Sequence, residues 1–336
     1  MHANKLTKHY WVWPIAWYLF LGGLGGGILF VAGVLEVVYH VGHVLALGTF
    51  VGVALLGIGS FLLIFELGQP KVFLRVFLSG TAIIKYGATM LVLAMLFGFV
   101  FFLFYLPPNW NLFYYGWTWM RDLSAVAMLV LGLGIMVYTG VLLSTMKSKP
   151  FWNTPLLPVL FTVSALSTAT ALLGVLAGQW PTAEYAEALA QKASQFIGSP
   201  YASLEQVEEV VHMLHLADSM LVLVEVVVLL IYVLGMRAAG NVTAKAVALE
   251  WVSGSKAVFF WVGMVCLGTL LPFFLYLAGG GAAAWAAPLL VLGGGLLLRF
   301  MVVYSDRRCA IPGEERYYRR LPQGDEKFFR PWKAPY

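Results

Sequence analysis

The 336 residues combine 61% hydrophobic side chains with only 11% charged ones, and the mean hydropathy is +0.83. This composition excludes a water-soluble globular domain and predicts a protein surrounded by membrane lipid, with no nucleic-acid partner. The net charge is +5, and the presence of only two cysteines excludes a clustered cysteine site for an iron–sulfur centre or structural zinc.

Eight apolar runs set the predicted fold. A bilayer core about 30 Å thick needs about 20 apolar residues per helix. The runs predict an all-α, polytopic integral membrane bundle of eight transmembrane helices, because barrel strands are shorter and alternate in polarity. The predicted spans cover 14–38, 44–65, 85–106, 121–145, 156–178, 212–236, 257–277 and 285–304. They form one transmembrane domain over residues 1–304, followed by a basic, aromatic tail over 305–336.

The first span contains a glycine-rich run, Gly-Gly-Leu-Gly-Gly-Gly, at residues 22–27. It follows no strand and lies within an apolar segment, so it is not a dinucleotide-binding loop. Such glycines allow helices to approach closely, or allow a kink beside a ligand pocket. Both interpretations remain open from the sequence.

Basic residues mark one end of the predicted bundle. Eighteen of the 21 Lys and Arg residues fall in the segments joined at that end, which we call the basic end. Because short loops rich in Lys and Arg stay cytoplasmic, we expect a multi-pass protein of the cell membrane with both termini in the cytoplasm. The acidic connection 179–211 is expected outside, as short amphipathic helices in water.

Ionisable side chains inside a bilayer are costly and therefore indicate function. In span six, His215, Asp218 and Glu225 share one helical face. This face predicts either proton transfer or a structural hydrogen bond between helices. Asp122, beside Arg121 at the outer start of span four, is either a proton exit or part of an interfacial ion pair.

Two further features have alternative interpretations. Arg299 lies near the basic end of span eight, where a long side chain is expected to snorkel to the surface. Haem b between two histidines is conceivable, because two pairs cap the outer ends of spans. Those histidines are His40 with His43, and His212 with His215. A transporter or proton channel is the other alternative, although no internal repeat is visible.

Three motifs suggest a family. They are Trp-Tyr-Leu-Phe-Leu-Gly-Gly-Leu-Gly-Gly-Gly at 17–27, Glu-Leu-Gly-Gln-Pro-Lys-Val-Phe at 66–73, and a third set at 138–166. The third set contains Tyr-Thr-Gly-Val-Leu-Leu and then Pro-Phe-Trp-Asn-Thr-Pro-Leu-Leu-Pro. In order and spacing, the chain resembles the polysulfide reductase membrane-subunit family, the NrfD/PsrC type.

The resemblance implies a quinone-binding anchor that is not a complete enzyme by itself. It would exchange electrons between menaquinone or ubiquinone and a four-cluster iron–sulfur subunit, which connects to a catalytic subunit of the molybdopterin type. It would hold no haem or iron–sulfur cluster of its own. The terminal substrate and the direction of electron flow do not follow from the resemblance.

The resemblance also implies a quinone site at the basic end. Tyr138 matches the family's tyrosine late in span four, and Tyr18 stands where the family has a histidine before the glycine run. A phenol at that position can still form a hydrogen bond but exchanges protons less readily, since it titrates near pH 10. Glu66 and Gln69 follow span two at the same end and are further candidates.

Overall fold

The computed structural model describes residues 13–42, 44–66, 83–105, 117–177 and 204–307. Within these ranges the protein is helical, and eight helices are long and apolar enough to cross a membrane. The prediction of an all-α bundle with eight transmembrane helices is therefore confirmed.

The helices run in the following order. They are α1 Trp13–Tyr39, α2 Ala46–Glu66, α3 Ile83–Leu103, α4 Thr118–Ser144, α5 Leu156–Leu176, α6 Leu204–Ala238, α7 Val242–Ser253, a π-helix Phe259–Leu270 that continues as α8 Leu271–Ala278, and α9 Gly281–Val303. The π-helix and α8 together form the seventh span. Residues 308–336, most of the predicted tail, lie outside the described residues.

Two features differ from the predicted spans. The sixth helix begins at Leu204, eight residues before the predicted start, and the short helix α7 follows it. Helix α7 begins where the Asn241 side chain accepts hydrogen bonds from the backbone N–H groups of Thr243 and Ala244, at 2.9 and 3.3 Å. This N-cap explains the extra helix, because such a cap satisfies donors that the first turn leaves unpaired.

Helix α1 lies at the centre of the bundle. In its apolar window 89% of residues are buried, against 28% for α2 and 33% for α3. The glycine run explains how several helices reach it. A Cβ on Gly25 would lie 2.8 Å from the carbonyl oxygen of Gly52 in α2, and one on Gly27 would lie 2.7 Å from that of Ala165 in α5. The run therefore serves close helix packing.

The basic end is closed by contacts between the end of α9 and its neighbours. Lys149 pairs with Asp306 at 3.0 Å, and Arg307 pairs with Glu250 at 2.7 Å. Burial lowers the pKa of Lys256, which also pairs with Glu250 at 3.8 Å. These contacts fix the position at which the polypeptide leaves α9.

Candidate functional site

Tyr18 and Tyr138 lie together near the basic end. Each is within about 10 Å of that end along its helix axis, and both side chains are buried. A Cβ on Gly22 of α1 would lie 3.9 Å from Cε2 of Tyr18 and 3.8 Å from Cγ2 of Thr139, the residue next to Tyr138. A Cβ on Gly87 of α3 would overlap the ring of Tyr138, and one on Gly59 of α2 would lie 3.7 Å from Cδ2 of Tyr18. Four helices therefore enclose the tyrosine pair.

Neither hydroxyl of this tyrosine pair has a hydrogen-bond partner among the described residues. Two other tyrosines of the bundle differ in this respect. The Tyr232 hydroxyl donates to the Phe151 carbonyl at 2.6 Å, and the Tyr276 hydroxyl donates to Asp218 Oδ2 at 2.6 Å. Because a buried tyrosine hydroxyl usually finds a partner, the pair offers two donors to a ligand.

The other two predicted quinone-site residues are only partly located. Glu66 is the last residue of α2, at the same end of the bundle as the tyrosine pair. Gln69 belongs to the 67–82 connection, outside the described residues. Both remain predictions.

A second polar group surrounds Asp218 of α6. The carboxylate is fully buried, and its Oδ1 accepts hydrogen bonds from Ser167 at 2.9 Å and Thr170 at 3.4 Å, both in α5. Its Oδ2 accepts the bond from Tyr276 of α8. The ring of Tyr276 lies 5.4 Å from that of His215. The structure thus joins two of the predicted proton-transfer residues through a tyrosine.

Glu225, two turns further along α6, lies beside Arg299. The Ser164 hydroxyl accepts a hydrogen bond from Arg299 Nη1, and it lies near enough to the Glu225 carboxylate to act on it. Arg299 also donates to the carbonyl oxygens of Phe161 and Gly295, each at 3.1 Å. Glu225 and Arg299 therefore form a buried pair of opposite charge bridged by a serine.

The prediction that Arg299 snorkels to the surface is wrong, because its side chain points into the bundle and has no exposed surface. Acceptors on α5 and the nearby carboxylate of Glu225 replace the water that snorkelling would provide. Arg299 Nε has no hydrogen-bond partner among the described residues. On the α1 side, a Cβ on Gly23 would lie 3.5 Å from Arg299 Nη2.

Asp122 lies apart from these groups. It accepts a hydrogen bond from Arg121 at 2.9 Å, and Arg121 Nε also pairs with Glu36 at 3.3 Å. Glu36 is buried and accepts the backbone N–H of Gly42 at 2.7 Å. The structure thus places Asp122 in an ion-pair cluster at the end opposite the basic one.

A cavity of about 410 Å³ lies at that opposite end, between α6, α8 and α9. Its wall includes His212, His215, Ser219 and Tyr276. Among the described residues that line the cavity, histidines come only from α6, whereas haem held between two helices needs one from each. The cavity leads from the bundle surface toward the Tyr276–Asp218 pair.

Sequence reasoning did not identify Tyr276 or Ser164. Single hydroxyl groups in apolar spans carry no pattern of their own. A buried carboxylate requires hydrogen-bond donors. A search of the other spans for hydroxyl residues that could serve each buried acid would therefore have found Tyr276 and Ser164.

Asp218 with its hydroxyl donors and Glu225 with Ser164 and Arg299 together form what we call the polar row. The fold and these groups define a multi-pass helical membrane protein with a buried tyrosine pair and a buried polar row. The profile of the family described as "Polysulphide reductase, NrfD" matches residues 2–189. The protein belongs to this family.

Individual proteins of this family are similar to the sequence over most of its length. The C subunit of polysulfide reductase from Wolinella succinogenes is 30% identical over 80% of this sequence and 83% of its own length. Protein NrfD of Escherichia coli is 28% identical over 79% of this sequence and 83% of its own. The NrfD homolog of Haemophilus influenzae is 26% identical over 78% of this sequence and 81% of its own length.

Proposed function

We propose that this protein binds a membrane quinone, menaquinone or ubiquinone, between Tyr18 and Tyr138. The observation that carries the proposal is that two buried tyrosine side chains have hydroxyls without partners among the described residues. A quinone has two carbonyl oxygens that accept hydrogen bonds, and its quinol has hydroxyls that donate them. Phenols can serve both forms because each is a donor and an acceptor.

Oxidation of a quinol to the quinone releases two electrons and two protons, and reduction of the quinone takes up the same number. The tyrosine pair would hold the head group and does not itself change oxidation state. Glu66 and Gln69 are proposed as further contacts at the same end, with the carboxylate of Glu66 accepting a proton when quinol is oxidised.

Electrons must pass to another polypeptide, since two cysteines cannot hold an iron–sulfur cluster of four ligands. The name of the Wolinella relative, which is one lettered subunit of a reductase, supports a multisubunit complex. We propose a four-cluster iron–sulfur partner, connected to a catalytic subunit of the molybdopterin type. The proposed setting is the cell membrane with the basic end in the cytoplasm.

The test of the quinone site is binding of a fluorescent quinol analogue to the complex, together with quinol-linked turnover. Tyr138→Phe and Tyr18→Phe each remove one hydrogen bond, worth about 1 kcal/mol, and should weaken binding about fivefold. Tyr86→Phe is the matched control, because Tyr86 is 61% exposed on α3. Equal binding by both site variants and the control would refute the assigned pocket.

We also propose that protons move along α6, through His215, Asp218 and Glu225. The support is the hydroxyl groups that lie against each carboxylate, together with the cavity that reaches His215. Asp218 and Glu225 are about 10 Å apart along the helix axis, a gap that needs bridging water. Asp122 would act separately, through its ion-pair cluster.

Proton movement per electron in vesicles containing the complex tests this route. Asp218→Asn and Glu225→Gln should lower the ratio, because an amide cannot take up and release a proton at these positions. Glu208→Gln is the control, since Glu208 is an exposed carboxylate on the same helix. A ratio that stays at the wild-type value in both buried variants would remove the route but leave the quinone site intact.

A further inference from the structure

The mouth of the 410 Å³ cavity carries two histidines one helical turn apart. His212 and His215 are separated by three residues on α6, so their side chains are neighbours on one face. Both side chains line the cavity. Two imidazoles on one helical turn can bind the same metal ion.

Two glycines of the turn between α8 and α9 form part of the cavity wall beside the histidines. Gly279 and Gly280 adopt φ angles of 66° and 97°, in the left-handed region that favours glycine. A Cβ at either position would meet no atom within 4 Å. Gly279 and Gly280 have no side chain that could cover the histidines, and His212 is exposed, so an ion can reach the site from outside the bundle.

The two ring nitrogens of His215 have different surroundings. Nε2 is buried beside Gly174 of α5 and has no hydrogen-bond partner among the described residues. Because Nε2 faces α5 inside the bundle, Nδ1 is the ring nitrogen of His215 that would bind an ion from the cavity. Behind it, both oxygens of Asp218 are already occupied by hydroxyl donors.

These donors select the type of ion. Imidazole nitrogens suit zinc and related transition metals, whereas magnesium and calcium prefer oxygen ligands. Within the described part of the sequence, no group of three or more His, Cys, Asp or Glu side chains could hold a metal. A structural zinc site needs four protein ligands, so a two-histidine site completed by water binds an ion exchangeably.

We infer that His212 and His215 form a reversible binding site for a zinc-class divalent cation at the mouth of the cavity between α6, α8 and α9. The bound ion would stand between water and the Tyr276–Asp218 pair. Inhibition of proton movement by the ion is the expected consequence, and this consequence rests on the proposed proton route.

Calorimetric titration of the full-length protein in detergent with zinc chloride tests the site. The protein should carry a tag without histidine and the substitutions His2→Ala and His9→Ala, which remove the terminal histidines. Zinc should bind at one site, and magnesium should not compete. His212→Ala and His215→Ala should each weaken zinc binding by at least about tenfold, since even a residue that only orients a ligand is worth that much.

His40→Ala is the matched control, because His40 is an exposed histidine at the same end of the bundle. It should bind zinc like the background protein. Absence of zinc binding in the background, or equal affinity in the His212→Ala variant, would overturn the site.

A second measurement separates the site from the proposed function. Zinc inhibition of proton movement is measured in vesicles and expressed relative to each variant's own rate without zinc. Inhibition that disappears in His212→Ala supports both the site and the route. Zinc binding that depends on both histidines but leaves proton movement unchanged supports the site and contradicts the route through this cavity.

Discussion

Replacement of Arg299 by methionine tests how the buried charge is balanced. Arg299→Met keeps most of the side-chain length but removes the guanidinium, which donates to Ser164, Phe161 and Gly295. It also leaves the Glu225 carboxylate without the positive charge that acts on it. Both effects should destabilise the bundle.

The magnitude follows from these contacts. Hydrogen bonds within membrane bundles are worth about 0.6 kcal/mol each, so three lost bonds cost about 2 kcal/mol. Removing one partner of a buried pair raises the total to about 3–5 kcal/mol. The double variant Arg299→Met/Glu225→Gln has no unbalanced charge and should lose only about 2 kcal/mol. The double variant should therefore be more stable than Arg299→Met alone.

Unfolding in mixed detergent micelles measures the free energy of unfolding for both single variants and the double variant. The resulting double-mutant cycle isolates the interaction between the two side chains. Arg237→Met is the control, because the exposed Arg237 at the end of α6 should change stability by no more than about 0.5 kcal/mol. The reasoning is refuted if the double variant is as unstable as the sum of the single variants.

Two other substitutions test specific contacts. Gly87→Ala should displace the Tyr138 ring, lower the free energy of unfolding by about 1–3 kcal/mol and weaken binding of the quinol analogue. Gly57→Ala is the control and should bind the analogue normally, because its added Cβ meets only Met95 Sδ at 4.0 Å. Equal binding by both variants would contradict the packing of Gly87 against Tyr138. Glu36→Gln should lower the free energy of unfolding by about 3 kcal/mol, because it leaves a partly buried Arg121 without its buried partner; a loss no larger than that of the exposed-pair variant Asp122→Asn would show that the Glu36 pair contributes little.

Hydrophobic run length was sufficient to predict the eight helices, because each span must satisfy its backbone hydrogen bonds internally. The boundary at Leu204 and the helix α7 escaped prediction, since polar residues outside the bilayer carry no length constraint. The proximity of Tyr18 and Tyr138 fits the position of both residues near the same end of antiparallel spans. Their shared lack of hydrogen-bond partners among the described residues required the three-dimensional arrangement.

The position of Arg299 shows why burial of a charge is hard to predict from one sequence. Distance from the helix end favours snorkelling, and that distance is all that the sequence of span eight provides. The actual orientation depends on acceptors contributed by α5 and on Glu225 of α6, both distant in the sequence. Small residues on α1, such as Gly23, leave the space that the guanidinium occupies.

The proposed quinone site and the polar row lie on different parts of the bundle, so an experiment can refute one without refuting the other. The tyrosine pair is enclosed by α1 to α4, within the 2–189 segment that matches the family profile. The polar row uses α6, α8 and α9, all beyond that segment, together with α5. Helix α1 takes part in both, because it carries Tyr18 and because its Gly23 lies against Arg299. A quinone in the proposed first site would thus be separated from the buried charge pair by little more than one glycine-rich helix.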